Sequence, residues 1–301
     1  MWTGRSLLSM SSVDAGEARA LLALAHGDAW RGDEFGGKVV ANLFFEDSTR
    51  TRVSFSIAAE ALGATVVDLT SKGSSVAKGE TLLDTAWTIE AMGVDCMVVR
   101  AGQSGAAALI DEHTKCAVVN AGDGTHQHPT QALADALTIG RSFGRESDWD
   151  FAGLKVAIVG DVVSSRVARS NVGLLRALGA EVVLVGPPGM VPGSQAALGC
   201  SLSDDLDFTL GGVDAVMMLR IQFERGGGGV LASTREYHAR YGMSEARAGM
   251  MKEGAVVMHP GPMNRGVEIA AAVADGERSV VLDQVGNGVL VRKAVLAKAL
   301  S

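Results

Sequence analysis

Hydroxyl and guanidinium side chains crowd together in Ser48-Thr49-Arg50-Thr51-Arg52, separated by Glu46 and Asp47 from the apolar run Lys38–Phe45. That run reads as a buried strand, and Val53, Ile57 and Ala61, with Ala58 and Leu62 beside them, give the following segment a helical face. The turn between them therefore opens a helix. Unpaired amides and the positive end of the dipole at such a terminus attract a phosphate, and Arg50 adds a planar fork that can grip two oxygens at once. For Ser48 or Thr49 taken singly, an ordinary N-cap role would suffice. Further candidates follow other apolar runs: Arg100 after Cys96–Val99, and His128, Thr130 and Gln131 past Cys116–Asn120. Arg166 opens the helix after Val156–Gly160, Arg220 and Gln222 follow Ala215–Leu219, and His259-Pro260-Gly261-Pro262 follows Val256–Met258. Ligands of open parallel sheets lie beyond the carboxyl ends of the strands. Arg50, Arg100, Arg166 and Arg220 in equivalent places imply a substrate pair carrying a phosphate plus carboxylates.

The elements that must position these groups alternate along the chain. Strands are expected at Val39–Phe45, Ala64–Asp68, Cys96–Val99, Cys116–Asn120, Val156–Gly160, Glu181–Val185, Ala215–Leu219 and Val256–Met258. Most are continuously apolar, as when helices cover both sheet faces. Helices are expected at Asp14–His26, Thr51–Leu62, Gly79–Ala91, Pro129–Arg141, Ser165–Leu178, Ser233–Tyr241 and Leu290–Leu300. The fold class is α/β, with two domains, each a parallel sheet flanked by helices. A chain of 301 residues, 38 of them glycine and only 5% aromatic, fits that architecture. The polar stretch around Gly140–Gly153 marks the boundary, giving domains 1–140 and 141–285.

Composition excludes several classes. Net charge is −7 and no Lys/Arg tract occurs, so neither nucleic acid nor an anionic membrane is an expected partner. Cys96, Cys116 and Cys200 are odd in number, far apart and set among apolar residues, which speaks for buried thiols rather than disulfides or a zinc site. No uncharged apolar stretch of about 18 residues occurs, so export and membrane insertion are not expected and a cytoplasmic enzyme is. Gly160-Asp161-Val162-Val163-Ser164-Ser165 lacks the Gly-x-Gly-x-x-Gly spacing of a pyrophosphate turn, which disfavours a dehydrogenase.

Phe44–Thr51 resembles the carbamoyl-phosphate signature of the aspartate and ornithine carbamoyltransferases, Phe-x-Glu/Lys-x-Ser-Thr-Arg-Thr. Ser74–Thr81 is similar to the lysine loop of the aspartate branch, Asn120–Gln131 to its His-Pro-Thr-Gln segment, and Arg220–Arg225 to its aspartate-binding strand end. His259–Ile269 also resembles the aspartate branch, whereas ornithine enzymes carry His-Cys-Leu-Pro there, with an upstream Ser-Met-Gly that this chain lacks. Ala101 departs from the pattern, since many relatives place histidine after the arginine equivalent to Arg100.

The resemblance implies transfer of the carbamoyl group of carbamoyl phosphate to the amino group of L-aspartate, the committed step of de novo pyrimidine synthesis. It implies that Ser48, Thr49, Arg50, Thr51, Arg100, His128, Gln131, Gly261 and Pro262 bind carbamoyl phosphate. Lys78, Arg166, Arg220 and Gln222 would face L-aspartate. Among these, Arg50, Thr51, Lys78, Arg100 and His128 would be catalytic, acting electrostatically without cofactor or metal. It further implies a C-terminal helix, about 286–301, packed back on the first domain. Ser74 or Ser75 and Lys78 would reach a neighbouring site, so that the active form is a homotrimer with shared sites. Regulatory chains, a dihydroorotase partner and a lid at Gly226–Gly229 stay open. So do a carbamoyltransferase for another amine and a non-catalytic paralogue serving as an assembly partner.

Overall fold

The computed structural model describes residues 4–30, 32–70, 80–221 and 233–301. Lys78, Gln222, the serines Ser74 and Ser75, and the Gly226–Gly229 tract lie outside the described residues.

The chain divides into two units, one made of the residues up to Leu137 plus Asn287–Ser301, the other of Thr138–Gly286. In the first unit, α1 (Ala15–Gly27), β1 (Val39–Phe44), α2 (Thr49–Glu60), β2 (Thr65–Thr70), α3 (Leu82–Ala91), β3 (Cys96–Ala101), α4 (Ala106–His113) and β4 (Ala117–Asp123) follow one another before α5 (Pro129–Ser142). The strands form a parallel sheet in the order β2-β1-β3-β4. In the second unit come β5 (Lys155–Val159), α6 (Arg166–Ala177), β6 (Glu181–Val185), β7 (Ser201–Ser203), α7 (Leu206–Leu210), β8 (Ala215–Met218), α8 (Thr234–Tyr241), α9 (Glu245–Met250), β9 (Val256–Met258) and α10 (Ala271–Ala274). The helix α11 (Val281–Leu300) closes the chain. This second sheet is also parallel, in the order β7-β6-β5-β8-β9. The inner strands of both sheets are buried, which is why they read as continuously apolar in sequence, while the edge strands β2 and β7 are partly exposed.

Several expectations need correction. The apolar face of α2 is not the Val53–Ile57 stripe, because Val53 and Ile57 are 45% and 48% exposed while Thr51, Ser54, Phe55, Ala58 and Ala59 are buried. Small side chains let this helix lie close to the sheet, and the larger β-branched residues are left outside. Cys96 is buried, but Cys116 and Cys200 are only half-buried. The helix α11 starts at Val281 rather than Leu290 and carries Gly286 and Gly288 within it. A Cβ on Gly288 would lie 2.5 Å from Nη1 of Arg292, so that glycine makes room for a guanidinium rather than ending the helix. The elements α4, α7, α9, α10 and β7 carry too short or too weak a pattern to be read beforehand.

Within the second unit, Gly140 is another steric requirement. A Cβ there would stand 2.5 Å from Cζ3 and 2.7 Å from Cε3 of Trp149, a 2%-exposed residue held at φ 54°. Alanine in a helix gains up to about 1 kcal/mol over glycine, but overpacking of this severity costs about 1–3 kcal/mol. The overlap wins. Gly140→Ala should lower the urea midpoint followed by tryptophan fluorescence, and an unchanged or raised midpoint would show that the indole yields without cost.

Candidate active site

In the first unit the site begins where β1 runs into α2. Ser48 is the N-cap, in extended conformation (φ −161°, ψ 95°), yet its side chain makes no capping hydrogen bond. Asp14, Thr81, Ser165, Asp205, Ser233 and Ser244 cap their helices with a side chain that accepts from the backbone three residues on. The Ser48 hydroxyl is thus not spent on its own helix. Thr49 and Arg50 are exposed beside it, while Thr51 is buried and its carbonyl accepts from Ser54 Oγ at 2.8 Å.

Strand pairing brings the other cation in. Arg100 is the register partner of Phe44, and the Phe45 amide donates to the Arg100 carbonyl at 2.8 Å. Its guanidinium donates to Glu46 Oε1 at 3.2 Å and to the Ala121 carbonyl at 3.3 Å. Glu46 thereby aims Arg100 along the α2 turn, and Ala121 ties it to the loop that leads to His128.

That loop is organised by Asp123, which the sequence reading passed over. Its carboxylate is 1% exposed and accepts from Asn120 Nδ2 at 2.9 Å, the Gln127 amide at 3.0 Å and the Gly105 amide at 2.6 Å. His126 Nδ1 lies 3.2 Å away. An aspartate between two glycines just after a strand is a turn signal that could have exposed this role. The following Gly124 has φ 46°, and a Cβ there would meet Ser104 Oγ at 2.3 Å. The outcome is a tight return that delivers His128, 4% exposed, to the start of α5, where its carbonyl accepts from the Gln131 and Ala132 amides. Gln131 itself is half-buried, and its Nε2 donates to Asp135 Oδ1 at 2.8 Å. Ser48, Thr49, Arg50 and Thr51 therefore follow β1, His128 and Gln131 follow β4, and Arg100 is the last residue but one of β3, the strand between them in the sheet.

The second unit repeats the arrangement with β5, β8 and β9, which are again neighbours. Arg166 is the first residue of α6 and 6% exposed, Arg220 follows β8, and Gly261 and Pro262 follow β9, joined by a cis peptide bond. Gly160, at φ 130°, is required by packing, because a Cβ would sit 3.1 Å from the Tyr237 hydroxyl and 3.2 Å from Leu219 Cβ. Burial, with Glu268 and Asp161 adding to it, pushes the Tyr237 phenol upward, so it stays a hydrogen-bond donor.

His259 holds the loop after β9. The Gly261 amide donates to its Nδ1 at 2.7 Å, so that nitrogen carries no proton, and the remaining Nε2–H faces Glu268 Oε1 at 3.1 Å. Glu268, fully buried, also accepts from the Asn264 amide at 2.5 Å, and Asn264 Nδ2 reaches the Ile221 carbonyl next to Arg220 at 3.0 Å. The Gln284 side chain accepts from the His259 amide at 2.8 Å. The carbonyls of Gly261 and Pro262 are thus fixed relative to the strand end that carries Arg220. Among the described residues no group of three His, Cys, Asp or Glu is placed to hold a metal ion, and no helix is long and apolar enough to cross a membrane.

Two α/β units, each a parallel sheet with arginines at or just beyond neighbouring strand ends, present cationic groups suited to anionic ligands. The chain belongs to the aspartate/ornithine carbamoyltransferase family: residues 5–141 match its carbamoyl-P binding domain and residues 152–299 its Asp/Orn binding domain. It is 58% identical over 260 residues to the aspartate carbamoyltransferase catalytic subunit of Myxococcus xanthus, covering 86% of each chain. The corresponding subunit of Gluconobacter oxydans is 55% identical, with 94% of this chain and 89% of that one covered. Among solved structures, the aspartate transcarbamoylase of Trypanosoma cruzi in complex with carbamoyl phosphate and aspartate superposes with a TM-score of 0.88 at 30% identity, over 99% of this chain and 97% of that one. The ornithine carbamoyltransferase of Thermus thermophilus gives 0.86 at 29% identity, over 99% of each chain.

Glu268→Ala should remove the acceptor of both His259 Nε2–H and the Asn264 amide. A buried donor left unsatisfied costs about 1–3 kcal/mol, so the variant should lose at least that in a denaturant titration, whereas Glu268→Gln, which keeps an acceptor oxygen, should lose less. Equal losses in the two variants would mean that the oxygen is not what holds the loop.

Proposed function

We propose that the first unit binds carbamoyl phosphate, that the second binds L-aspartate, and that the enzyme joins them to give N-carbamoyl-L-aspartate and phosphate. The observation that carries this reading is the start of α2, where an N-cap hydroxyl not used for capping stands with Arg50 and, through Glu46, with Arg100. The amine of L-aspartate attacks the carbamoyl carbon, the C–N bond forms as the carbonyl becomes an oxyanion, and collapse of that intermediate expels phosphate. The proton that the amine loses is taken up by the departing phosphate. Thr51, Arg50 or Arg100 and the imidazole of His128 stabilise the developing oxyanion. Ser48, Thr49, Arg50, Arg100 and Lys78 hold the phosphate, Gln131 and the carbonyls of Gly261 and Pro262 the carbamoyl group. Arg166, Arg220, Gln222 and Lys78 hold L-aspartate. Two arginines after adjacent strand ends favour a dicarboxylate, which separates this acceptor from ornithine where the fold alone does not. Free thiols at Cys96, Cys116 and Cys200 suit a reducing compartment, the cytoplasm, and the reaction places the enzyme in pyrimidine synthesis.

The working form is a homotrimer in which Lys78 serves a neighbouring chain's site. Val53 and Ile57 on α2, Val67 on the edge strand β2, and Trp87 and Met92 around α3 are apolar side chains exposed on the first unit, and association would cover those that face a neighbouring chain.

Arg50→Ala should raise KM for carbamoyl phosphate and lower kcat together, with a rate loss of about 10²–10³ on removal of a preorganised donor. Unchanged kinetics would leave Arg50 a surface residue and remove the anion site.

Subunit sharing predicts complementation. Inactive Arg50→Ala and inactive Lys78→Ala chains, dissociated reversibly and reassembled together, should regain activity at about one site in four. A mixture that stays dead, although each variant assembles and the unmutated protein survives the same treatment, would exclude shared sites.

A further inference from the structure

The Gln131 amide is oriented by a neighbour that no step above uses. Asp135 lies one helical turn further along α5, fully buried, and Oδ1 stands 2.8 Å from Gln131 Nε2. That hydrogen bond runs from the amide nitrogen to the carboxyl oxygen, so the Gln131 carbonyl oxygen is turned away from Asp135. Arg292 of α11, 5% exposed, interacts electrostatically with Asp135, and its guanidinium lies 5.2 Å from the Phe55 ring centroid. The absent side chain of Gly288 leaves room for that guanidinium, since a Cβ there would lie 2.5 Å from Nη1 and 3.9 Å from Ala134 Cβ. Burial pushes the Arg292 guanidinium down to about 10, Asp135 opposes the shift, and Arg50 adds to it. Arg292 therefore remains a cation at neutral pH, and its charge and the Asp135 carboxyl group favour one another.

We propose that Asp135 is a positioning residue that makes the enzyme select a carbamoyl donor over an acyl donor, by committing Gln131 Oε1 to accept an N–H from the donor's amide. This rests on the assignment of carbamoyl phosphate to the first unit. Acetyl phosphate has the same phosphate and carbonyl but a methyl in place of the amide nitrogen. It satisfies Arg50, Arg100 and the α2 turn, and leaves Gln131 Oε1 without a donor. Sites built around a substrate hydrogen bond reject analogues that lack it, because the buried acceptor then goes unpaired.

The test compares the two donors in unmutated enzyme and in Asp135→Asn. Asparagine has the same shape but can donate, so the Gln131 amide is free to turn its nitrogen toward the donor. Binding of acetyl phosphate, read as its inhibition constant against carbamoyl phosphate, should stay within about twofold, while kcat/KM for carbamoyl phosphate falls roughly 10–100-fold. The ratio of the two should collapse. Should Asp135→Asn not fold, Gln131→Met removes the acceptor with Asp135 in place, and the same ratio should fall. In the double variant Asp135→Asn should add nothing to the loss from Gln131→Met, because it acts through that amide. A uniform weakening of both donors, or no change in the ratio with either variant, overturns the proposal. Failure of the unmutated enzyme to carbamoylate L-aspartate would instead sink the functional assignment, which the variants do not touch.

Discussion

A parallel strand that feeds a helix leaves its carboxyl end and the helix's unpaired amides at the same edge of the sheet, and both units of this chain are built from that constraint. Neighbouring strands repeat the geometry at a spacing of about 4.8 Å, so residues far apart in sequence arrive side by side. Ser48 and Arg100 are about a third of a unit apart in sequence, yet the register of β1 with β3 places Arg100 across from Phe44. The equivalent register of β5, β8 and β9 does the same for Arg166, Arg220 and Gly261. The chemistry is assembled by sheet order.

Buried carboxylates supply the precision that the sheets alone lack. Asp123 gathers three donors to shape the return into His128, Asp135 sets an amide, and Glu268 fixes a histidine tautomer and with it a loop. Each is at most 1% exposed. A buried carboxylate is costly unless it is hydrogen-bonded or paired, so each must find its partners in one arrangement, and that requirement makes the loops definite. The acidic net charge of −7 thus coexists with local sites rich in arginine.

Much of this was legible before any coordinates. Ser48–Arg52 is consecutive and closely follows an apolar strand, so both its chemistry and its place in the fold could be read together. Arg100 and Arg220 were found because each terminates a continuous apolar run, and Arg166 because it opens the helix after one. The organising carboxylates were not, since a lone aspartate or glutamate carries no periodicity, and its value depends on donors that tertiary structure brings to it. The face of α2 was misread for a different reason: hydrophobicity pointed to Val53 and Ile57, while close packing favoured Ser54 and Ala58. Gly286 and Gly288 hid the true start of α11, because a glycine that clears space for Arg292 looks in sequence like one that ends a helix.

The central claim is that the donors of the first unit and the arginines of the second serve one carbamoyl transfer to a dicarboxylate. Its most direct measurement is colorimetric detection of carbamoylated product from purified enzyme, carbamoyl phosphate and, in parallel, L-aspartate, L-asparagine or L-ornithine. A guanidinium deprived of its carboxylate forfeits roughly 1.5–3 kcal/mol, so kcat/KM for aspartate should exceed that for the other two by about 10–100-fold. Ornithine carbamoylated as fast as aspartate, or no carbamoylaspartate at all, would contradict the account.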